Sequence, residues 1–321
     1  MFKIDISANN SNVKPLEGRQ TISFLLGSGF SVPKGYPVGN AVNEQLSHFK
    51  FENYGISSAG EIYRCKKKIL THSSQYQRNM VFCERIISEY TKNQHEDFDY
   101  EMFFDFIHGE EILIEPYKNC AEGLIGKFEK YTDFVFGLEN IFTQMITEVI
   151  KDKNRKIWYD NEPNTIGDVD DYDTLLKVIN AWSDDYIVDI HTLNHDMLFE
   201  SFKRRDYIAG KICDGFSEFG SEYYGELKTC EGRKYNVRLE RYTGKYSTPV
   251  RLYKLHGSFD YVLYYNSKGV MMSPDNCIKT RFDVDLKSLK KEVIFKNEYE
   301  RFPFAYHGYF LTGIKTKVNP L

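Results

Sequence analysis

Three apolar runs in this chain each stop abruptly at small and polar residues, and that repeated shape constrains the fold more than any other feature. The run 22–26 ends at Gly27-Ser28-Gly29-Phe30-Ser31, the run 187–190 leads into Thr192-Leu193-Asn194-His195-Asp196, and the run 250–255 ends at His256-Gly257-Ser258. Short apolar segments bounded by turn residues read as buried strands. In an open parallel sheet the carboxyl ends of the strands share one edge, and ligands bind in the crevice outside it. If the three runs are such strands, the first supplies a phosphate cradle, the second an Asn and an Asp, and the third a His. The expected class is α/β.

The segments between the runs suggest how the crevice is covered. Residues 1–20 read as a polar leader with an irregular Asn9-Asn10-Ser11-Asn12 tract. Residues 40–182 read as helix after helix, because Met80-Cys83-Ile86-Ile87-Tyr90 and Leu124-Phe128-Phe134-Leu138-Ile141-Met145-Ile146-Val149 recur at helical spacing, and no strand pattern is expected among them. A helical insertion of that length between two strands would make a second lobe over the crevice. Residues 170–182 form an amphipathic helix offering Leu175, Leu176, Val178 and Ile179 for burial. A helix also starts after Asp196, which can cap it. Over 213–249 the spacing shifts to two, as in Tyr235-Val237-Leu239 with a Thr243-Gly244 turn, which predicts an antiparallel excursion. Residues 287–295 read as helical, and 304–321 as aromatic and turn-rich.

Charge and cysteine usage narrow the function classes. A net charge of −4 over 321 residues provides no field that would gather nucleic acid or an anionic membrane. The densest basic cluster, Arg64 with Lys66, Lys67 and Lys68, alternates with Ile62, Ile69 and Leu70 and reads as a solvated helix face. The six cysteines are scattered singly, with no Cys-x-x-Cys pair to nucleate zinc, and read as reduced thiols. No signal-peptide architecture is present and no apolar run approaches the roughly 20 residues of a bilayer span, so a soluble cytoplasmic protein is expected. Neither a Gly-x-Ser-x-Gly elbow nor a Cys beside a His is available for acyl transfer.

The candidate residues each admit a structural and a functional reading. Gly27-Ser28-Gly29 lets backbone N–H groups approach a pyrophosphate, with a helix beginning near Asn40 behind it, yet Val32 stands where the dinucleotide fingerprint has its third glycine, and a plain turn has the same pattern. Gly35 and Gly39 flank Pro37 in a loop that either covers a ligand or connects two elements. Asn194 and Asp196 lie two apart, so in an extended segment both side chains point into the crevice; an Asx turn with Asp196 as cap is the alternative. His256 is either a neutral base or a structural imidazole. His191 and His195 span a strand end without a glutamate between them, and Asp168, Asp170, Asp171 and Asp173 precede a helix as capping charge. No metal site is expected.

Taken in order, Gly27-Ser28-Gly29-Phe30-Ser31, Thr192-Leu193-Asn194-His195-Asp196 and Lys254-Leu255-His256-Gly257-Ser258 resemble the sirtuin signature set, and the nearest likeness is to the SIR2-like NAD-hydrolysing domains of bacterial anti-phage defence systems. The acidic-aromatic stretch Asp97-Phe98-Asp99-Tyr100-Glu101-Met102-Phe103-Phe104 is similar to one in the helical part of such domains. The resemblance implies a Rossmann-like sheet carrying the helical insertion, with the SIR2-like domain over 21–321. It implies NAD+ as substrate, with Gly27, Ser28, Gly29, Phe30 and Ser31 on the pyrophosphate and adjoining ribose. Asn194 would orient the nicotinamide ribose or a water, Asp196 would bind the carboxamide, and His256 would act on the ribose hydroxyls or that water. Pro37, Gly257 and Ser258 complete the ligand-binding set. Deacylases of the family carry paired Cys-x-x-Cys motifs and an Asp-Phe-Arg, where this chain has no such pairs and reads Tyr36-Pro37-Val38-Gly39-Asn40; both departures favour hydrolysis of NAD+ by water over transfer to an acyl-lysine. Leu311-Thr312-Gly313-Ile314-Lys315-Thr316-Lys317 resembles a segment that in related domains precedes a last strand with a Gly and a Ser near the adenosine; either a further domain carries that strand or the last sheet element is supplied differently here. Expected partners are NAD+, further copies of the chain, and a partner defence protein or phage-derived trigger, with neither direct nucleic-acid nor membrane contact. A module that senses NAD+ or an ADP-ribose derivative without turnover is the alternative, and protein deacylation a third.

Overall fold

A computed structural model describes residues 15–50, 75–94, 97–152, 169–217 and 240–264, with shorter pieces at 52, 54–56, 62–64, 219, 223–228, 234–238, 277–279, 294–295 and 304–310. Strand β1 (Thr21–Leu26) is followed by α1 (Gly39–Ser47), a hairpin of β2 (Tyr54–Ile56) and β3 (Ile62–Arg64), then α2 (Gln75–Asn93), α3 (Tyr100–Ile107), α4 (Tyr131–Asp152) and α5 (Asp173–Trp182). Strand β4 (Ile187–Thr192) leads into short helical turns at Leu198–Ser201 and Asp206–Ala209 and into β5 (Ile212–Cys213), β6 (Phe216–Ser217), β7 (Tyr223–Lys228), β8 (Lys234–Arg238) and β9 (Glu240–Tyr242). The chain returns through β10 (Val250–Lys254) and continues in β11 (Gly257–Tyr264), β12 (Cys277–Lys279), β13 (Ile294–Phe295) and β14 (Phe304–Phe310).

The three apolar runs become neighbours in one four-stranded sheet of order β1-β4-β10-β5, and every pairing in it is parallel. The molecule is therefore α/β. Leu26 and Lys254 both pair with Thr192, so the three strands end in one row. The ladder runs one residue further, since the Leu193 N–H donates to the Leu26 carbonyl at 3.0 Å and the Leu255 N–H to the Thr192 carbonyl at 2.9 Å. Val188, Ile190, Val250 and Leu252 are buried, as central strands of a parallel sheet require. Helix α5 covers one face, burying Leu176 and Ile179 and stacking Trp182 on Phe24 at 5.9 Å; Val178 stays exposed.

The helical part has a core of its own. Helix α4 buries Phe134, Leu138, Ile141, Phe142, Met145, Ile146 and Val149 along one stripe, and α2 buries Met80, Cys83, Ile86, Ile87 and Tyr90 against it. Cys83 Sγ lies 3.4 Å from Met145 Sδ, and the rings of Phe103 on α3 and Phe142 are 4.7 Å apart. Each such side chain adds roughly 1.5–3 kcal/mol of hydrophobic stabilisation when fully buried. Cys83, Cys120 and Cys213 are free thiols, and burial pushes the Cys120 thiol up to about 11.

Several expectations are corrected. The β2–β3 hairpin interrupts the helical region, and Arg64 ends a strand, so the basic cluster does not begin on a helix face; Lys66, Lys67 and Lys68 lie outside the described residues. Phe128 falls before α4 and is 91 % exposed, so the helical stripe starts at Phe134. Ile294–Phe295 pairs with β7 as a strand where helix was expected, with 287–293 outside the described residues. Phe304–Phe310 is strand β14, antiparallel to β11, in a second sheet of order β14-β11-β12-β9-β6. These strands are short and pair with residues far away in the chain, so no local alternation marks them. Antiparallel pairs β7–β8 and β6–β9 fall within 213–249, and Gly244 takes a positive φ of 64° in its turn. Leu239, the leader through residue 14, and 311–321 lie outside the described residues. No helix among the described residues is long and apolar enough to cross a membrane.

Candidate functional site

A cavity of about 370 Å³ opens where β1, β4 and β10 end. The sheet side of its wall is formed by Gly27, Ser28 and Ser31 after β1, by Leu193, Asn194, His195 and Asp196 after β4, and by His256 after β10. The opposite side comes from the helical part, with Tyr36, Pro37, Gly39, Asn40, Val42 and Asn43 around the start of α1, Asp99, Tyr100 and Glu101 at the start of α3, and Ile150 of α4.

The loop after β1 is wound tightly. Gly27 is extended, and a 3-10 turn over Ser28–Phe30 follows, with the Phe30 N–H donating to the Gly27 carbonyl and the Ser31 N–H to the Ser28 carbonyl, both at 3.0 Å. Open space lies where a Cβ on Gly27 or Gly39 would stand, so no protein atom fills the room beside these two backbones. Asn194, 9 % exposed, clamps the loop: its amide donates to the Gly27 carbonyl at 3.0 Å and to the Ser31 hydroxyl at 2.9 Å. Because both amide hydrogens are committed, the amide orientation is fixed and its carbonyl oxygen, which has no partner among the described residues, is left as an acceptor.

Asp196 serves both of its readings. Its carboxylate accepts the Leu198 N–H at 2.9 Å, capping the turn that follows, and it also borders the cavity. Burial pushes this carboxyl up, against the pull of Lys254, a bond from the Ser31 hydroxyl and the Leu198 N–H. Lys254, whose side chain is 1 % exposed, bonds the Asp196 carbonyl and pairs with Glu200 at 3.2 Å. The last residue of β10 thus ties the β4 loop from below.

His256 stands where the chain leaves the parallel sheet for the antiparallel one, a corner that Gly257 turns with a φ of 75°. Its ring centroid is 5.9 Å from that of His195. Four expected positions do not border the cavity. Phe30 turns inward to Tyr172 at 5.0 Å, Phe199 at 6.4 Å and Phe202 at 6.3 Å, so it anchors the loop. Gly29 lies within the 3-10 turn, Gly257 turns the corner with its positive φ, and the fully buried Ser258 donates to the His195 carbonyl at 3.3 Å.

Sequence reasoning missed most of the helical wall. Asn43 accepts the Tyr100 N–H at 2.9 Å and donates to Asp99 at 3.4 Å, joining α1 to α3. The Pro37 loop and the acidic-aromatic likeness around Asp99 pointed there, and nothing local marks Val42, Asn43 or Ile150. Among the described residues no group of three His, Cys, Asp or Glu could hold a metal ion. No protein-family model matches this chain, and no curated protein matches it.

Proposed function

We propose that this chain is an NAD+ glycohydrolase on a Rossmann-like sheet, releasing nicotinamide and ADP-ribose. The observation that carries the reading is the convergence of three strand ends, remote in sequence, on one cavity bordered by Asn194, Asp196 and His256. The cavity volume lies at the small end of the range for small-molecule sites, roughly 300–1,000 Å³, which suits part of a dinucleotide. In the reaction a water oxygen attacks C1′ of the nicotinamide ribose while the C1′–N bond breaks. The bonding pair passes to the ring and neutralises the pyridinium, and the water loses one proton. The Asn194 carbonyl oxygen accepts a hydrogen bond from the water or a ribose hydroxyl and so orients it. His256 takes the proton. The oxocarbenium-like transition state needs positioning and negative charge more than a strong nucleophile. By its resemblance the protein works as an anti-phage effector, assembled from several copies and switched on by a partner.

The assembled protein incubated with NAD+ is expected to yield nicotinamide and ADP-ribose in equal amounts. His256→Ala should cut the rate by about a hundredfold or more without lowering the melting temperature. Undiminished hydrolysis in both His256→Ala and Asn194→Ala overturns the site, and NAD+ bound but recovered intact overturns turnover.

A further inference from the structure

A lysine is seldom buried completely unless its charge is met, and a buried ion pair is a weak stabiliser that apolar side chains of similar volume often replace without loss. Lys254 is nonetheless 1 % exposed at the end of β10, in the row of strand ends below the cavity. Its ammonium reaches two groups of the chain that follows β4. One is the main-chain carbonyl of Asp196, and the other, at 3.2 Å, is the carboxylate of Glu200, whose side chain is 5 % exposed on the turn Leu198–Ser201. The second oxygen of Glu200 is buried without a hydrogen bond.

The Asp196 carboxylate, which borders the cavity, stands between opposing influences. It accepts the Leu198 N–H at 2.9 Å and the hydroxyl of Ser31, which itself accepts the Asn194 amide at 2.9 Å and has its one proton left for this bond. Burial works against the ionised form most strongly and the Glu200 charge adds to it, while Lys254 opposes burial more than either hydrogen bond does. Tyr172, on the 3-10 turn before α5, also feels the Asp196 charge, and His195 and His256 border the same cavity.

We infer that Lys254 and Glu200 are positioning residues that act through Asp196: together they fix the β4 loop and set the charge that Asp196 presents to the cavity. The inference rests on the NAD+ reading for what Asp196 contacts, whereas the charge balance belongs to the ligand-free protein. Without the ammonium the two carboxylates lose their shared cation, and Asp196 takes up a proton. Without the Glu200 charge the ammonium is left to Asp196, which then gives its proton up more readily.

Carbon-13 NMR of the full chain carrying labelled aspartate, with Asp196→Asn to assign the resonance, follows this titration with no ligand present. Lys254→Met, similar in length and uncharged, should move the Asp196 midpoint up by about one pH unit or more, and Glu200→Gln should move it down. In hydrolysis of NAD+ the acid side of the kcat/KM profile should move in the same two directions, since the ionised form binds the ligand. A tie that merely holds the loop would lower the rate in both variants and leave the midpoint in place. Should Lys254→Met fail to fold, Glu200→Gln decides alone. A midpoint unmoved in Glu200→Gln, or displaced the same way in both variants, overturns the inference. Opposite displacements in a chain that leaves NAD+ intact would overturn hydrolysis and keep the pair. Hydrolysis with an unmoved midpoint would do the reverse.

Discussion

Two buried aspartates near the sheet ends carry opposite electrostatic signs. Asp214 is buried, which pushes its carboxyl up, yet Lys279 and Lys203 beside it override burial and hold it far below the usual range. A carboxyl depressed in the folded state stabilises the fold above its unfolded pKa of about 3.9, and that stabilisation is lost as pH falls through the folded value. Asp214→Asn should therefore lower the melting temperature at neutral pH and flatten its decline in acid. Asp196 is the reverse case, raised by burial first and by Glu200 among its neighbours, while Lys254, shared between Asp196 and Glu200, pulls the other way. Its contribution is present below the ordinary carboxylate range and lost as pH rises through the raised value. Asp196→Asn keeps an acceptor for the Leu198 N–H and removes the excess charge, so its melting temperature at neutral pH should equal or exceed that of the native chain. Calorimetric scans of both variants across pH 3–8, a range of about five units around these groups, read the signs directly, and a fall in both at neutral pH would contradict this account.

At the scale of elements, α2 and α4 form the core of the helical part, each burying a stripe of apolar side chains at helical spacing. Phe142 is fully buried against Phe103, so Phe142→Ala should cost about 3–5 kcal/mol in denaturant unfolding. These helices were legible because a helix writes its buried face into spacings of three and four, and the same holds for the apolar strands β1, β4 and β10. The hairpin β2–β3 and the strands β13 and β14 were not legible. Gly257 pairs with Phe310 and Ile294 with Tyr224, and a strand of two to seven residues takes its identity from such partners.

For the whole molecule, the decisive fact is that one cavity is bordered by both the sheet and the helical part. A ligand that fills it should protect amides at 27–31 and at 99–102 together in hydrogen exchange with NAD+ present, and protection confined to the sheet side would mean that the helical wall takes no part. By itself the sequence determined the apolar strands, the abrupt stops that follow them and the helical periodicity between, since each is written by burial and turn chemistry within a few residues. Only the tertiary structure decided which side chains meet. Asn194 clamps Gly27 across 167 positions, Asn43 holds Tyr100 across 57, and Phe30 faces inward while Glu101 reaches the cavity. Such partners are chosen when the chain closes over long separations, where the entropy of closure is offset by burial shared among many residues and no short segment carries the instruction.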